Sequence, residues 1–168
     1  MESLARKSSL PRLGLAAIVA LLVIVPVALA AEDPAITTYR EEVEPICKQS
    51  SDQNSQILKG VKTQINNGGL VPAGKRFIRA SEAFGKAVQK IAKVPRPVGY
   101  QTTVKKWVGY LGEEKALLQQ IGKALKGGNK NRAYSLGARL ERTNKRANNT
   151  MFDFELRHCA NEDTGKFI

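Results

Sequence analysis

The chain has 168 residues, 27 of them Lys or Arg against 15 Asp or Glu, which gives a net charge of +12 with a single histidine and two cysteines. One histidine excludes a His-rich metal site, and His158 would be the only imidazole for a Ser-His-Asp or Cys-His centre. The positive excess disfavours cationic partners and favours encounter with polyanions such as lipid head groups, wall polymers or, without sequence preference, nucleic acid.

The first thirty residues follow the grammar of a secretory signal peptide. Arg6, Lys7 and Arg12 precede an apolar run from Leu13 to Val25, and Pro26 leads to Ala28-Leu29-Ala30. Ala28 and Ala30 supply the small side chains that a signal peptidase accepts, so cleavage is expected after Ala30, with Ala31 as the nearby alternative. The competing reading is an uncleaved anchor over residues 13–31, because that stretch approaches the roughly 20 residues needed to cross a bilayer. No cysteine closes the apolar run, so a diacylglyceryl anchor at that point is excluded. The expected organisation is residues 1–30 as signal and 31–168 as one exported domain that keeps about +10 of charge.

The domain reads as all-α. From Ile36 to Ile65, apolar residues recur at helical steps, with a kink or break expected at Pro45 and Cys47 on the first turn after it. Asn66-Asn67 and Gly68-Gly69 end that segment. A second helix runs from about Pro72 to Val94, with Phe77, Phe84, Val88 and Ile91 on one face and Lys75, Arg79, Lys86, Lys90 and Lys93 on the remainder. Pro95 and Pro97 stop it. Thr102 or Thr103 is expected to cap a third helix, whose stripe is Trp107, Val108, Leu111, Leu118, Ile121 and Leu125, closed by Gly127-Gly128. Asn129 opens a fourth, with Ala133, Leu136, Leu140, Ala147 and Met151 inside and Arg132, Arg139, Arg142, Lys145 and Arg146 outside.

Beyond Met151, the steps of two between Phe152, Phe154 and Leu156 suggest an extended hook across the bundle end, and residues 161–168 read as a tail. The expected architecture is an antiparallel four-helix bundle after an N-terminal apolar helix. Two cysteines in an oxidising compartment imply one disulfide, Cys47 to Cys159, joining the ends of the fold. Neither sits in a Cys-x-x-Cys pair, so a redox-active role is not expected.

Tyr39 ahead of Ile46-Cys47, amphipathic helices, and a closing Leu156-x-x-Cys159 resemble a loose group of small exported bacterial helical-bundle proteins with one cysteine near each end of the domain. The resemblance implies the same fold and disulfide and transfers no functional residue. The Phe152 to Phe154 stretch is more aromatic than that group leads one to expect.

The search for chemistry yields no catalytic, cofactor-binding or metal-binding residue. Glu41-Glu42-Glu44 and Glu113-Glu114 read as solvated faces, because neither an Asp-rich loop nor the helical Glu-x-x-His pattern accompanies them. The glycine pairs lack the Gly-Lys-Ser context of a phosphate cradle and act as helix terminators. Asn148-Asn149-Thr150 matches a glycosylation sequon, a fortuitous match in a bacterial host. What stands out is a basic surface formed by Lys86, Lys90, Lys93, Lys123, Lys126, Lys130, Arg139, Arg142, Lys145 and Arg146, a candidate for an anionic partner. Few aromatic residues interleave with it, so stacking on single strands is not favoured.

The leading expectation is therefore a non-catalytic binding or interaction module at the cell envelope, without a cofactor, holding a protein partner, an anionic envelope polymer or a membrane surface. The alternatives are a structural or stress-related envelope protein without a specific ligand, and a small-molecule or metal carrier or an undetected enzyme using a pocket between helices. An apolar cavity at the bundle centre would favour the carrier.

Overall fold

A computed structural model describes residues 33–160. The expected signal segment with Ala28 and Ala30, the alternative anchor at 13–31 and the expected tail at 161–168 lie outside the described residues. The described chain is helical, with five α-helices and a short 3-10 turn.

The first helix, α1 (Pro34–Leu58), starts where the Asp33 carboxylate accepts a hydrogen bond from the Ala35 amide at 2.9 Å and Pro34 supplies a preset φ at the first helical position. It buries Ile36, Tyr39, Val43, Cys47, Ser50 and Leu58. Of the kink or break expected at Pro45, the break does not occur: α1 runs through it. Pro45 and Glu41 are both exposed, so the Glu41 carbonyl deprived of its N–H donor lies on the side where water can satisfy it. The chain interrupts its helix later, at Gly60, whose φ of 74° is a left-handed conformation that favours glycine. The Arg76 guanidinium donates to the carbonyls of Ile57 and Lys59, occupying acceptors that the helix end leaves free.

After a single further turn and a half, α2 (Val61–Asn66), the Asn-Gly run closes the segment as expected. α3 (Leu70–Ile91) buries Phe77 and Ile91, leaves Phe84 and Val88 half-buried, and otherwise turns small residues inward: Ala73, Gly74, Ala80, Ser81, Gly85 and Ala87. α4 (Gln101–Lys126) begins one or two residues before the expected threonine caps. Tyr100 holds the capping position without a side-chain hydrogen bond, and Thr102 and Thr103 lie inside the helix. α5 (Lys130–Thr150) starts as expected, with the Asn129 side chain accepting from the Arg132 amide at 2.9 Å.

α1 packs on α3, α3 on α4, and α4 on α5, in a bundle-like arrangement. The small-residue face of α3 meets α4 at close range. A Cβ added to Gly74 would stand 2.5 Å from the Gly122 carbonyl oxygen, and one added to Gly122 would stand 2.7 Å from the Gly74 carbonyl oxygen. Farther along, the Ser81 hydroxyl donates to the Lys115 carbonyl at 2.9 Å, so numbers fall along α4 as they rise along α3. Backbone atoms cannot swing aside as a side-chain tip can, so the overpacking cost exceeds the helix-propensity gain of a methyl group. Gly122→Ala is expected to lower stability by about 1–3 kcal/mol. Gly109→Ala on the same helix, where an added Cβ meets nothing within 4 Å, is expected to raise it by up to about 1 kcal/mol. Urea denaturation of the two variants against the parent checks both signs.

The sulfurs of Cys47 and Cys159 stand at disulfide distance, with Cα atoms 4.9 Å apart. The segment that brings Cys159 there is a hook, but not an extended one. Phe152–Phe154 forms a 3-10 turn and Glu155 follows with φ 49°. In a strand, Phe152 and Phe154 would share a face; here Phe152 is 79 % exposed and Phe154 1 %. The Phe154 ring meets Tyr39 and Tyr100 edge to face, at centroid distances of 5.8 and 5.3 Å. Tyr39, Cys47, Leu156 and Cys159, widely separated in sequence, thereby converge on one end of the fold.

The core falls into two clusters. One gathers Leu58, Val61, Ile65, Phe77, Leu117, Ile121, Leu125, Leu136 and Leu140 toward α2; the other gathers Ile36, Tyr39, Val43, Ile91, Val104, Trp107, Leu111, Met151 and Phe154 toward the hook. Phe84 packs against both. What interrupts the apolar continuity between them is polar.

Candidate functional site

At the seam between the two clusters lies a cavity of about 40 Å³, room for about three water-sized groups. Every long helix contributes to it. Apolar walls come from Phe84, Ala87 and Ile91 of α3, Leu111 and Leu118 of α4, and Leu140 of α5. Ser50 and Asn54 of α1, Glu114 of α4 and Asn144 of α5 supply polar groups, and the hook adds Cys159 and His158 at the rim.

The helices place these polar side chains by spacing. Glu114 stands three residues after Leu111 and four before Leu118, in the middle of the apolar stripe of α4, and is only 3 % exposed. Asn144 occupies the same kind of place between Leu140 and Ala147 on α5, and Ser50 follows Cys47 by three residues on α1. The sequence reading of Glu113-Glu114 as a solvated pair holds for Glu113, which is exposed, and fails for Glu114. Adjacent residues on a helix point about 100° apart, so a pair of acids need not share an environment.

Burial penalises the charged carboxylate and pushes the Glu114 carboxyl up to about 8; the Asn144 side-chain hydrogen bond opposes this, and the charge of Glu113 adds to it. The surroundings therefore favour the neutral carboxyl. Asn144 is itself oriented, since its Oδ1 accepts from the Asn148 amide at 3.2 Å. Three atoms around the cavity have no hydrogen-bond partner among the described residues: Ser50 Oγ, Asn54 Oδ1 and Glu114 Oε1. Orphaned buried polar atoms cost about 1–3 kcal/mol each, so three beside one cavity make it a place where an added hydrogen-bonding group would gain most.

The hook fixes the rim. The His158 amide donates to both carboxylate oxygens of Glu44 at 3.1 Å, the His158 ring lies 3.9 Å from Glu44 Oε2, and Arg40 reaches Glu155 at 3.8 Å. Glu44, read as part of a solvated face with Glu41 and Glu42, is half-buried and anchors the segment that carries Cys159. Among the described residues no cluster of three His, Cys, Asp or Glu side chains is arranged to hold a metal ion.

All ten basic candidates lie on the described surface, Lys130 half-buried and the other nine exposed. Lys126 lies beside Gly74, whereas Lys90 is sixteen residues farther along α3, about 24 Å at 1.5 Å per residue. Lys86, Lys90 and Lys93 therefore sit toward the hook, and Lys123 and Lys126 toward the opposite end. Lys145 is paired with Glu141 at 2.8 Å. No described helix is long and apolar enough to cross a membrane.

No protein family, curated protein or solved structure matches the chain. A functional reading must therefore stand on the cavity and its surroundings.

Proposed function

We propose that the chain is an exported, non-catalytic binding protein: an antiparallel four-helix bundle, released from residues 1–30 by cleavage after Ala30, that holds a small ligand in the cavity between its helices. The observation that carries this reading is the set of three unpartnered oxygens, Ser50 Oγ, Asn54 Oδ1 and Glu114 Oε1, beside one cavity walled by Phe84, Ile91, Leu111, Leu118 and Leu140. A few polar groups set in apolar walls are the general form of a small-molecule site. Binding fits better than catalysis because Glu114 is a lone proton-transfer group, while the imidazole of His158 is drawn to Glu44 at the rim. The disulfide-distance cysteine pair supports an oxidising compartment, and thus export.

A second reading draws on the exposed basic faces. Lys86, Lys90 and Lys93 on one side and Arg139, Arg142 and Arg146 on another attract an anionic envelope polymer or membrane surface. Retention on an anionic matrix that disappears with salt supports that contact, and retention unchanged by salt removes it.

Native mass spectrometry of the protein recovered from its host's envelope and medium tests the main proposal. The expected species starts at Ala31, lacks two hydrogens and carries a reproducible small added mass. A bare polypeptide mass under conditions that preserve non-covalent complexes overturns ligand carriage, and a retained Met1 terminus in the membrane fraction overturns cleavage.

A further inference from the structure

We infer that the end of the bundle that carries α2 is a membrane-docking surface, which seats the protein on a bilayer rich in anionic lipid. The inference rests on the second reading above and narrows it to one place and one partner.

Charge is divided unevenly along the bundle. Residues 53–81 and 115–140 hold eleven Lys and Arg and not one Asp or Glu, while the other described residues hold twelve basic and eleven acidic side chains. Nearly the whole positive excess of the described chain therefore lies in two stretches. The fold brings these stretches together on one side of the seam. Leu58, Val61 and Ile65 share a core cluster with Phe77, Leu125 and Ala133, and Lys126 lies beside Gly74. The hydrogen bond from Ser81 to the Lys115 carbonyl marks the level at which both stretches stop. The chain turns at 59–60, 67–69 and 127–129 lie at the far end of that half.

None of the eleven cations is neutralised by a neighbouring carboxylate. The ion pairs among the described residues, Arg40 with Glu155, Lys48 with Asp52, Lys145 with Glu141 and His158 with Glu44, all lie in the other half. Nine of the eleven side chains are exposed, and Arg76 and Lys130 are half-buried. Lys59, Lys62, Lys123, Lys126, Lys130 and Arg132 lie within four residues of the turns. Like charges held on a rigid end without counter-charge repel one another, and an anionic surface brought to that end relieves the repulsion.

The placement favours a plane over a strand. A linear polyanion laid along the helices would leave the basic half and run over one whose charges nearly cancel. A flat surface that meets the end touches the basic half alone. The same half exposes two large apolar side chains, Val71 on the first turn of α3 and Tyr134 near the start of α5. The Lys130 ammonium stands 5.6 Å from the centre of the Tyr134 ring. Lysines interspersed with an aliphatic side chain and a tyrosine suit the zone where head groups meet acyl chains.

Co-sedimentation of the whole protein with vesicles tests the inference. Vesicles of phosphatidylglycerol and phosphatidylcholine in equal parts are expected to bind at least about tenfold more tightly than phosphatidylcholine alone, and to release the protein as salt rises from about 0.05 to 0.5 M. Combining Lys59→Gln, Lys62→Gln and Lys126→Gln should lower the affinity about 100-fold, because each cation near the surface is worth about a factor of five. The same loss of charge from the other half, Lys105→Gln, Lys106→Gln and Arg157→Gln combined, should lower it less than about threefold. Val71→Ser with Tyr134→Ser should lower it about threefold. Equal losses from the two triple variants would show that net charge alone acts, which overturns the inference and leaves the second reading standing. Binding of linear polyphosphate without binding of the anionic vesicles does the same. If neither is bound, both readings fall.

Discussion

Replacing Cys47 and Cys159 together by alanine is expected to lower the stability of the domain by about 4–5 kcal/mol. The pair spans 112 residues, nearly the whole described chain, and a cross-link of that length removes most of the loop-closure entropy from the unfolded state. Few domains of this size have more than about 5–15 kcal/mol to lose, so the double variant is expected to be partly unfolded on mild heating. With an m-value near 2 kcal/mol/M, the urea midpoint falls by about 2 M. The non-covalent ties of the hook will not compensate. Arg40 with Glu155 and His158 with Glu44 are partly exposed contacts, each worth on the order of 1 kcal/mol. A midpoint that moves by less than about 0.5 M would show that the unfolded chain is already restrained by something other than the cross-link. Alkylation without reductant provides the independent check: neither cysteine should label in protein recovered from its host.

The second large effect is expected from Glu114 and is read in pH. Its carboxyl titrates at about 8 in the folded chain against an ordinary value of 4.5. The folded state therefore holds a proton that the unfolded state releases, and stability declines as pH rises. Relative to a fully neutral side chain, the contribution is intact below pH 4.5, is lost progressively up to about pH 8, and is then constant. At 1.36 kcal/mol per unit, the total reaches as much as about 5 kcal/mol. Glu114→Gln, which keeps the shape and removes the titration, is expected to flatten this decline, so that its advantage over the parent grows from pH 5 to pH 8. Parallel urea titrations at several pH values measure the difference directly, because all other titrating groups are shared. A parent and a variant that decline in parallel would place the Glu114 carboxyl in contact with bulk water.

Much of the fold is legible in the residues. Gly127-Gly128 and Asn129 end one helix and start the next as their chemistry dictates, and the stripes of α4 and α5 bury the residues that periodicity assigns to them, with Val108 half-buried. At Pro45 no break forms because the rule that proline breaks a helix is conditional on where the freed carbonyl points, and Glu41, whose solvated position the sequence suggests, is exposed. Phe152 and Phe154 mislead because two aromatic residues at a step of two resemble a strand edge, and only tertiary packing against Tyr39 and Tyr100 decides that one is buried and the other not. The interruption rests on Gly60 in a left-handed conformation, and Arg76 caps the helix end before it from α3, a tie that no local pattern reveals.

The candidate site is legible only in part. The apolar wall residues belong to stripes that periodicity identifies. The polar residues are missed because acids and amides are assigned by default to water, whereas the informative signal is their position: Glu114 between Leu111 and Leu118, and Asn144 between Leu140 and Ala147, fall where a core residue belongs. A polar residue on the buried arc of an amphipathic helix is a reason to look for its partner. Conversely, the basic residues are conspicuous in sequence, yet α3 and α4 carry them to separate ends.

The hook is more than a staple, since Cys47, His158 and Cys159 belong to the lining of the cavity. One wall of the chamber is thus itself made of the cross-link. A chain that still carries thiols has its helical stripes but lacks the tether that closes this wall, so occupancy of the chamber is tied to maturation. On the binding reading proposed above, such a molecule is expected to gain its affinity only after oxidation. Binding assays run in the presence of a thiol reductant would then report on the latent form.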